Sequence, residues 1–433
     1  MQTIERFESA VRSYCRDWPT VFTSARGCTL VDDDGRQYLD FFAGAGALNY
    51  GHNHPDLIEP LVEHLRRGGI VHGLDMATGP KIEFLERLDA RVLTPRGLEY
   101  KVQFPGPTGT NAVEAALKLA RKVTGRDRVI GFTNAFHGMT LGSLAVTGNS
   151  MKRRGAGVPL GNVDSMPFEG FLGDDHDTIE FLEAFLVGDA SGIDLPAAVI
   201  LETTQAEGGI NPASDDWVRR LADVCRRHDI VMIIDDIQVG CGRTGPFFSF
   251  ERAGIDPDIV CLSKSLSGSG LPMAVTLLKP HLDVWEPGEH NGTFRGNNAA
   301  FVTATAALER FWSDDELSDD VVRKGDRIDA YLVDLATEHD GLFAEARGRG
   351  MIRGIEARVP EAAAAIAAAA FERGLIVETA GPNDEVLKLL PPLVVSDAEL
   401  DRGFGILSES VEAVLDRLGD DLVAAEEAEE VAR

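Results

Sequence analysis

The sequence is short of basic charge. Its 433 residues hold 42 Lys and Arg against 70 Asp and Glu, a formal net charge of -28 at pH 7. A surface so acidic repels phosphodiesters, so no nucleic-acid partner is expected. Only nine of the basic residues are Lys, a balance that suits a salt-adapted host. Cysteine is scarce too. Cys15, Cys28, Cys225, Cys241 and Cys261 form no CxxC pair, which argues against a disulfide framework or a zinc site and for a reducing compartment. His52 and His54 precede Pro55 in a loop, and no HExxH-like spacing supports a metal. Long apolar runs are missing: stretches such as Val231 to Ile234 are far too short to span a bilayer. The opening Met1-Gln2-Thr3-Ile4-Glu5-Arg6 lacks the apolar core of a secretory leader. The expectation is a soluble cytoplasmic protein.

What is present suffices for a large folded core. The chain is 44% hydrophobic and 26% charged, with ordinary Gly and Pro totals, and its length alone suggests two or three domains at ~150 residues each. Between about 100 and 300, short apolar runs alternate with helix-period segments. Val129 to Phe132, Ala198 to Leu201, Ile230 to Ile234 and Ile259 to Leu262 read as buried strands. Asn111 to Val123, Thr178 to Val187 and Trp217 to His228 read as the helices between them. That alternation predicts an α/β fold with a mostly parallel sheet covered on both faces, with its chemistry at the carboxyl ends of the strands. Residues 28–42 predict a β-hairpin turning at Asp33-Asp34-Gly35. Beyond about 315 a second αβ region is expected, with an alanine-rich helix from Glu361 to Phe371, a strand near Leu375 to Glu378 and an acidic tail from Asp416. The division expected is a large domain over 52–314 and a smaller, discontinuous one from 1–51 plus 315–433.

Three constellations could carry chemistry. Phe104 to Ala116 is a Gly/Thr/Asn loop running into an alanine-rich helix, where free amides and the helix dipole can cradle a phosphate. Asp235-Asp236 closes an apolar strand, and carboxylates buried there need a partner, either a cation such as Mg2+ or a cationic cofactor atom. Lys264 closes another apolar strand. A desolvated Lys loses its proton readily and becomes a Schiff-base nucleophile. Gly240 to Gly245 matches GxGxxG, but Pro246-Phe247-Phe248 follows in place of a helix, and Gly109 to Lys118 contains no GKS or GKT. Dinucleotide and P-loop readings therefore fail. A phosphate cradle, a strand-end acid and a Lys are the parts needed to hold pyridoxal 5'-phosphate.

At this point the chain resembles the class III (ω-amino acid) aminotransferases of fold type I over nearly its whole length. The resemblance is carried by Leu39-Asp40-Phe41, Asn49 to Pro55, Phe136-His137-Gly138, Gln205-Ala206-Glu207-Gly208-Gly209, Asp235 to Gly240 with Gly242 to Gly245, and Thr293 to Asn297. It implies Lys264 as the Schiff-base lysine, Asp235 as the pyridinium partner and Gln238 as the partner of the ring hydroxyl. It implies Phe136 as the stacking ring, with His137 beside the cofactor and Gly109 and Thr110 holding the phosphate. Thr293 would reach the phosphate of a neighbouring subunit, which implies at least a homodimer. The substrates implied are amino acids and 2-oxo acids. The family's R-x-x-P-P-L reads Lys388-Leu389-Leu390-Pro391-Pro392-Leu393 here. The resemblance implies Glu207 and Lys388 as substrate-binding residues, the latter position binding a substrate carboxylate in one half-reaction and pairing with Glu207 in the other. Lys cannot make the bidentate fork of Arg, so Lys388 is a departure at the carboxylate site. Within the family the motifs are most similar to the members acting on 2,4-diaminobutyrate in ectoine synthesis, through Gly106 to Asn111, Met139 and Glu289 to Asn298. Ornithine, acetylornithine and 4-aminobutyrate types are the alternatives.

Overall fold

Strands apolar on both faces are satisfied only inside a sheet covered on two sides. Val129–Phe132, Ala198–Leu201, Val231–Asp235 and Ile259–Leu262 are buried along their whole length in the computed structural model. The structure describes the backbone of residues 1–432 and all their side chains except those of Pro360 and 418–432. The central sheet has seven strands in the order Lys101–Gln103, Val275–Leu278, Ile259–Leu262, Val231–Asp235, Ala198–Leu201, Val129–Phe132, Val163–Met166. Val275–Leu278 runs antiparallel to both its neighbours, and the remaining pairings are parallel. The mostly parallel α/β sheet expected from the sequence is therefore present.

The covering helices start where their caps dictate. Ser214 accepts from Trp217 N–H at 3.1 Å and opens Asp215–Arg227. Asp215 and Asp216 lie in its first turn and Arg226 and Arg227 in its last, complementing the helix dipole. Trp217, Leu221 and Val224 are buried from this helix. The expected helices at Asn111 and Thr178 appear as Gly109–Thr124 and Thr178–Val187, and the alanine-rich one as Pro360–Glu372.

Both chain ends meet outside this sheet. The hairpin of Thr29–Asp32 with Gln37–Asp40 is extended by Leu375–Ile376, which pairs parallel to the latter strand. A further antiparallel sheet orders Phe343–Arg349, Ile352–Ala357, Val386–Leu389 and Glu378–Ala380. The acidic tail expected from Asp416 continues the helix Asp397–Ala432, and Arg433 lies outside the described residues. No helix among the described residues is long and apolar enough to cross a membrane.

Arg243, from the glycine run that mimics a dinucleotide motif, is a structural hub. It is fully buried and donates to Asn49 Oδ1 at 2.6 Å, Met351 O at 3.0 Å and Pro391 O at 2.5 Å. Three distant chain segments thus share one guanidinium. An Arg243→Ala substitution strands those acceptors, and a loss of about 3 kcal/mol or more is expected. Denaturant unfolding with a loss under about 1 kcal/mol would contradict this role.

Candidate active site

Parallel strands deliver their carboxyl ends to one edge of a sheet, so loops far apart in sequence converge there. Lys101–Gln103 leads to Gly109 and Thr110, Val129–Phe132 to Phe136 and His137, and Ala198–Leu201 to Glu202 and Glu207. Val231–Asp235 ends on Asp235 and leads to Gln238, while Ile259–Leu262 leads to Lys264. The start of the chain adds Ala43–Gly46, whose backbone is left-handed at Ala43 (φ 48°) and Ala45 (φ 55°). Gln238 Nε2 donates to Ala45 O at 2.8 Å, and Ser265 Oγ donates to Gly46 O at 2.7 Å.

Asp235 is only 4% exposed. Its Oδ2 lies 2.7 Å from His137 Nδ1, and its Oδ1 accepts from Ile237 N–H at 3.2 Å. Burial works against a charged His137, but the hydrogen bond and charge of Asp235 prevail and raise it above its ordinary value. The buried His137 Nε2 has no partner among the described residues. The ring stands against Asp235, so its evident task is to orient and charge-balance that carboxylate.

Lys264 is half-buried with a left-handed backbone, φ 50°. Its Nζ makes no hydrogen bond among the described residues, and loss of water pulls its pKa below the usual lysine range. The helix Gly109–Thr124 begins after Thr108, whose N–H and hydroxyl both donate to Asn111 Oδ1 at 3.2 and 2.8 Å. That turn leaves the amides of Gly109 and Thr110 without an intrahelical acceptor. A Cβ on Gly109 would fall 2.9 Å from Ile237, and one on Gly138 2.6 Å from Thr110 Oγ1. Gly138, with φ 125°, is therefore required beside this helix start, and Gly109 packs closely on Ile237. The Thr110 hydroxyl is already bonded to Thr140 Oγ1 at 2.6 Å and Ser143 Oγ at 2.8 Å, so the amides are its free donors. Thr293 is exposed, its carbonyl 2.9 Å from His72 Nε2, and it is not bonded to the other predicted residues.

The departure at Lys388 has a partner that sequence reasoning missed. Glu378 faces Lys388 across adjacent antiparallel strands. The fully buried Lys388 Nζ lies 2.7 Å from Glu378 Oε1 and 2.8 Å from Glu207 Oε1. Glu207 Oε1 also accepts from Gln238 Nε2 at 3.2 Å, and Tyr14 donates its hydroxyl to Glu378 Oε2 at 3.3 Å. Burial would raise Glu207, yet the Lys388 and Lys264 ammoniums hold it down at about 2. Burial instead pushes Glu378 up to about 7 despite Lys388, and the two carboxylates hold Lys388 well above the usual lysine range. Glu202 was also missed. It accepts from Phe136 N–H at 2.9 Å and Ala206 N–H at 3.2 Å, and burial lifts it to about 7. A buried acid ending a predicted strand was the available signal for Glu378.

The arrangement suits a ring-nitrogen cofactor with a phosphate. The primary amine of Lys264, its pKa lowered, lies in the field of Glu207 and Asp235, and other strand ends of the same sheet supply free helix amides and the Phe136 ring. The orphaned His137 nitrogen and the glycine-lined helix start are consistent with a group seated there.

Removing Lys388 leaves two buried carboxylates face to face. Lys388→Met is expected to cost about 3–5 kcal/mol in denaturant unfolding, partly recovered in Lys388→Met/Glu378→Gln. Equal stability of all three proteins would contradict the ion-pair reading. His137 sets a pH window. Its raised pKa makes the ion pair's contribution complete below about pH 6.5 and lost as the pH rises through the raised value. The stability gap between wild type and His137→Gln should narrow over that range, and a gap independent of pH would count against the pair.

The family model described as Aminotransferase class-III matches residues 13–411. A protein named diaminobutyrate–2-oxoglutarate transaminase from Virgibacillus pantothenticus is 58% identical over 415 residues, 96% of this chain and 100% of that protein. One of the same name from Streptomyces coelicolor is 56% identical over 412 residues, covering 95% and 97%. The ornithine aminotransferase of Toxoplasma gondii ME49 superposes with a TM-score of 0.83 at 25% identity, covering 96% of this chain and 95% of that structure. A transaminase from the marine bacterium Virgibacillus shares the fold at 19% identity, with a TM-score of 0.86 over 96% and 99% of the two chains. This chain belongs to the class III aminotransferases, which depend on pyridoxal 5'-phosphate.

Proposed function

We propose that the protein exchanges an amino group between L-glutamate and L-aspartate 4-semialdehyde, yielding 2-oxoglutarate and L-2,4-diaminobutyrate. What carries this reading is the 58% identity across the whole of a diaminobutyrate–2-oxoglutarate transaminase, joined to a site whose charged residues suit that chemistry. The scarcity of Lys beside 70 acidic residues is consistent with diaminobutyrate feeding the compatible solute ectoine in a salt-stressed cytoplasm.

Pyridoxal 5'-phosphate supplies, when bound, a carbonyl that receives the amino group and an electron-accepting ring. Lys264 would attach it and Asp235 would face its ring nitrogen. Phe136 would cover the ring, Gln238 would meet its hydroxyl, and the amides of Gly109 and Thr110 would hold its phosphate. The lowered pKa of Lys264 eases the loss of its proton, and its Nζ would take the proton from the substrate carbon bearing nitrogen and later return one. His137, bonded to Asp235, holds that carboxylate in its orientation. Glu207, tied to Lys388, keeps the substrate side of Lys264 negative until a carboxylate enters.

A homodimer completes this reading. Thr293 is exposed and distant in bonding from Lys264, while Met139, Leu141 and Phe294 are 54%, 52% and 68% exposed. Such apolar side chains are suited to cover by a second copy, which would bring Thr293 to the neighbouring phosphate site. The large domain over 52–314 and the small domain from 1–51 plus 315–433 would then frame each cleft.

Loaded protein incubated with each donor in turn gives a direct test. Diaminobutyrate and glutamate should convert the bound cofactor and be consumed in alternation with their oxo partners, in ping-pong fashion. Ornithine and 4-aminobutyrate should react at least about tenfold more slowly. Preference for either of those would overturn the substrate assignment.

A further inference from the structure

Four of the nine lysines are paired with an acid among the described residues. Lys122, Lys279, Lys324 and Lys388 each lie on an acid. Lys152 does not. It is half-buried, its Nζ lies 4.3 Å from the centroid of the Phe136 ring, and it has no acidic partner in contact among the described residues. Its charge nevertheless reaches the site, because it helps hold down the Glu207 carboxyl.

The placement is built into the backbone. Asn149 Oδ1 accepts from Lys152 N–H at 3.0 Å, and Arg153 donates to the carbonyls of Leu144, Ala145 and Thr147 at 3.2, 2.8 and 2.8 Å. Gly148 N–H donates to Ala135 O at 2.7 Å, and a Cβ on Gly148 would fall 2.8 Å from the Asn134 nitrogen. The turn carrying Lys152 is thereby pinned to the segment carrying Phe136. An aromatic face holds an ammonium without neutralising it, so the charge stays available to an incoming anion. Lys388, by contrast, is locked between Glu207 and Glu378 and can greet a carboxylate only by breaking that pair.

Substrate chemistry supplies the rest, and here the inference rests on the proposed function. Glutamate carries its side-chain carboxylate four bonds from the reacting nitrogen. Diaminobutyrate, reacting through its 4-amino group, carries its carboxylate at the same remove. One fixed cation can therefore serve both half-reactions. We propose that Lys152 is the specificity-determining anchor for this distal carboxylate, the task that Lys388 is not free to perform.

Steady-state kinetics on loaded wild type, Lys152→Met and Lys152→Arg decide the matter, with 1,3-diaminopropane as the donor that matches diaminobutyrate but lacks the carboxylate. Lys152→Met should raise KM for both diaminobutyrate and glutamate by about ten- to hundredfold, with kcat changed by less than about threefold. It should leave kcat/KM for 1,3-diaminopropane within about twofold of wild type, and Lys152→Arg should recover most of the lost affinity. Unchanged KM for diaminobutyrate and glutamate, or a parallel loss on 1,3-diaminopropane, would overturn the anchor while leaving the proposed function intact. Wild type inactive on both amino acids would overturn the proposed function and the anchor together.

Discussion

A charge can be buried only where another charge or a set of hydrogen bonds compensates it, and this constraint organises the cleft. Asp235 is balanced by His137, and Glu207 and Glu378 share Lys388. Lys264 lies in their combined field with no hydrogen bond among the described residues. Two of these pairs join segments far apart in sequence, residues 137 with 235 and 207 with 388, while Glu378 and Lys388 face each other on neighbouring strands. The site and the assembly of the two sheets are therefore one arrangement. Arg243 repeats the logic away from the chemistry, where its guanidinium fastens residues 49, 351 and 391 together.

The parts of the fold legible in sequence were those encoded locally. A strand buried on both faces writes itself as an unbroken apolar run, so Ala198–Leu201 and Ile259–Leu262 were readable, and so were Asp235 and Lys264 at strand ends. Residues whose meaning depends on register were not. Glu378 matters because it faces Lys388 across two strands, a relation that no local pattern records. Tyr14 matters because the chain start folds back onto Glu378. Lys388, standing where the family has an arginine, is buried between Glu207 and Glu378, and of the two only Glu207 was its expected partner.

The same separation of local from non-local signals applies to the motif residues. His137, which its aromatic-His-Gly motif sets beside the cofactor, bonds Asp235 through Nδ1 and has no partner at Nε2 among the described residues. The glycine-rich stretch around Arg243 serves packing instead of nucleotide binding. A Cβ on Gly242 would fall 2.8 Å from Trp312, and one on Gly350 2.6 Å from the Arg243 carbonyl. Gly109 sits at the point where helix start, cradle and core meet, since its missing side chain makes room for Ile237.

The central claim is that the desolvated amine of Lys264, among nine lysines, holds the cofactor. Borohydride reduction of the loaded protein, followed by proteolysis and mass spectrometry of the peptides, tests it most directly. The account predicts a pyridoxyl phosphate adduct on the peptide carrying Lys264, at close to one per chain. An adduct placed mainly on another lysine, Lys152 or Lys388 included, would contradict it.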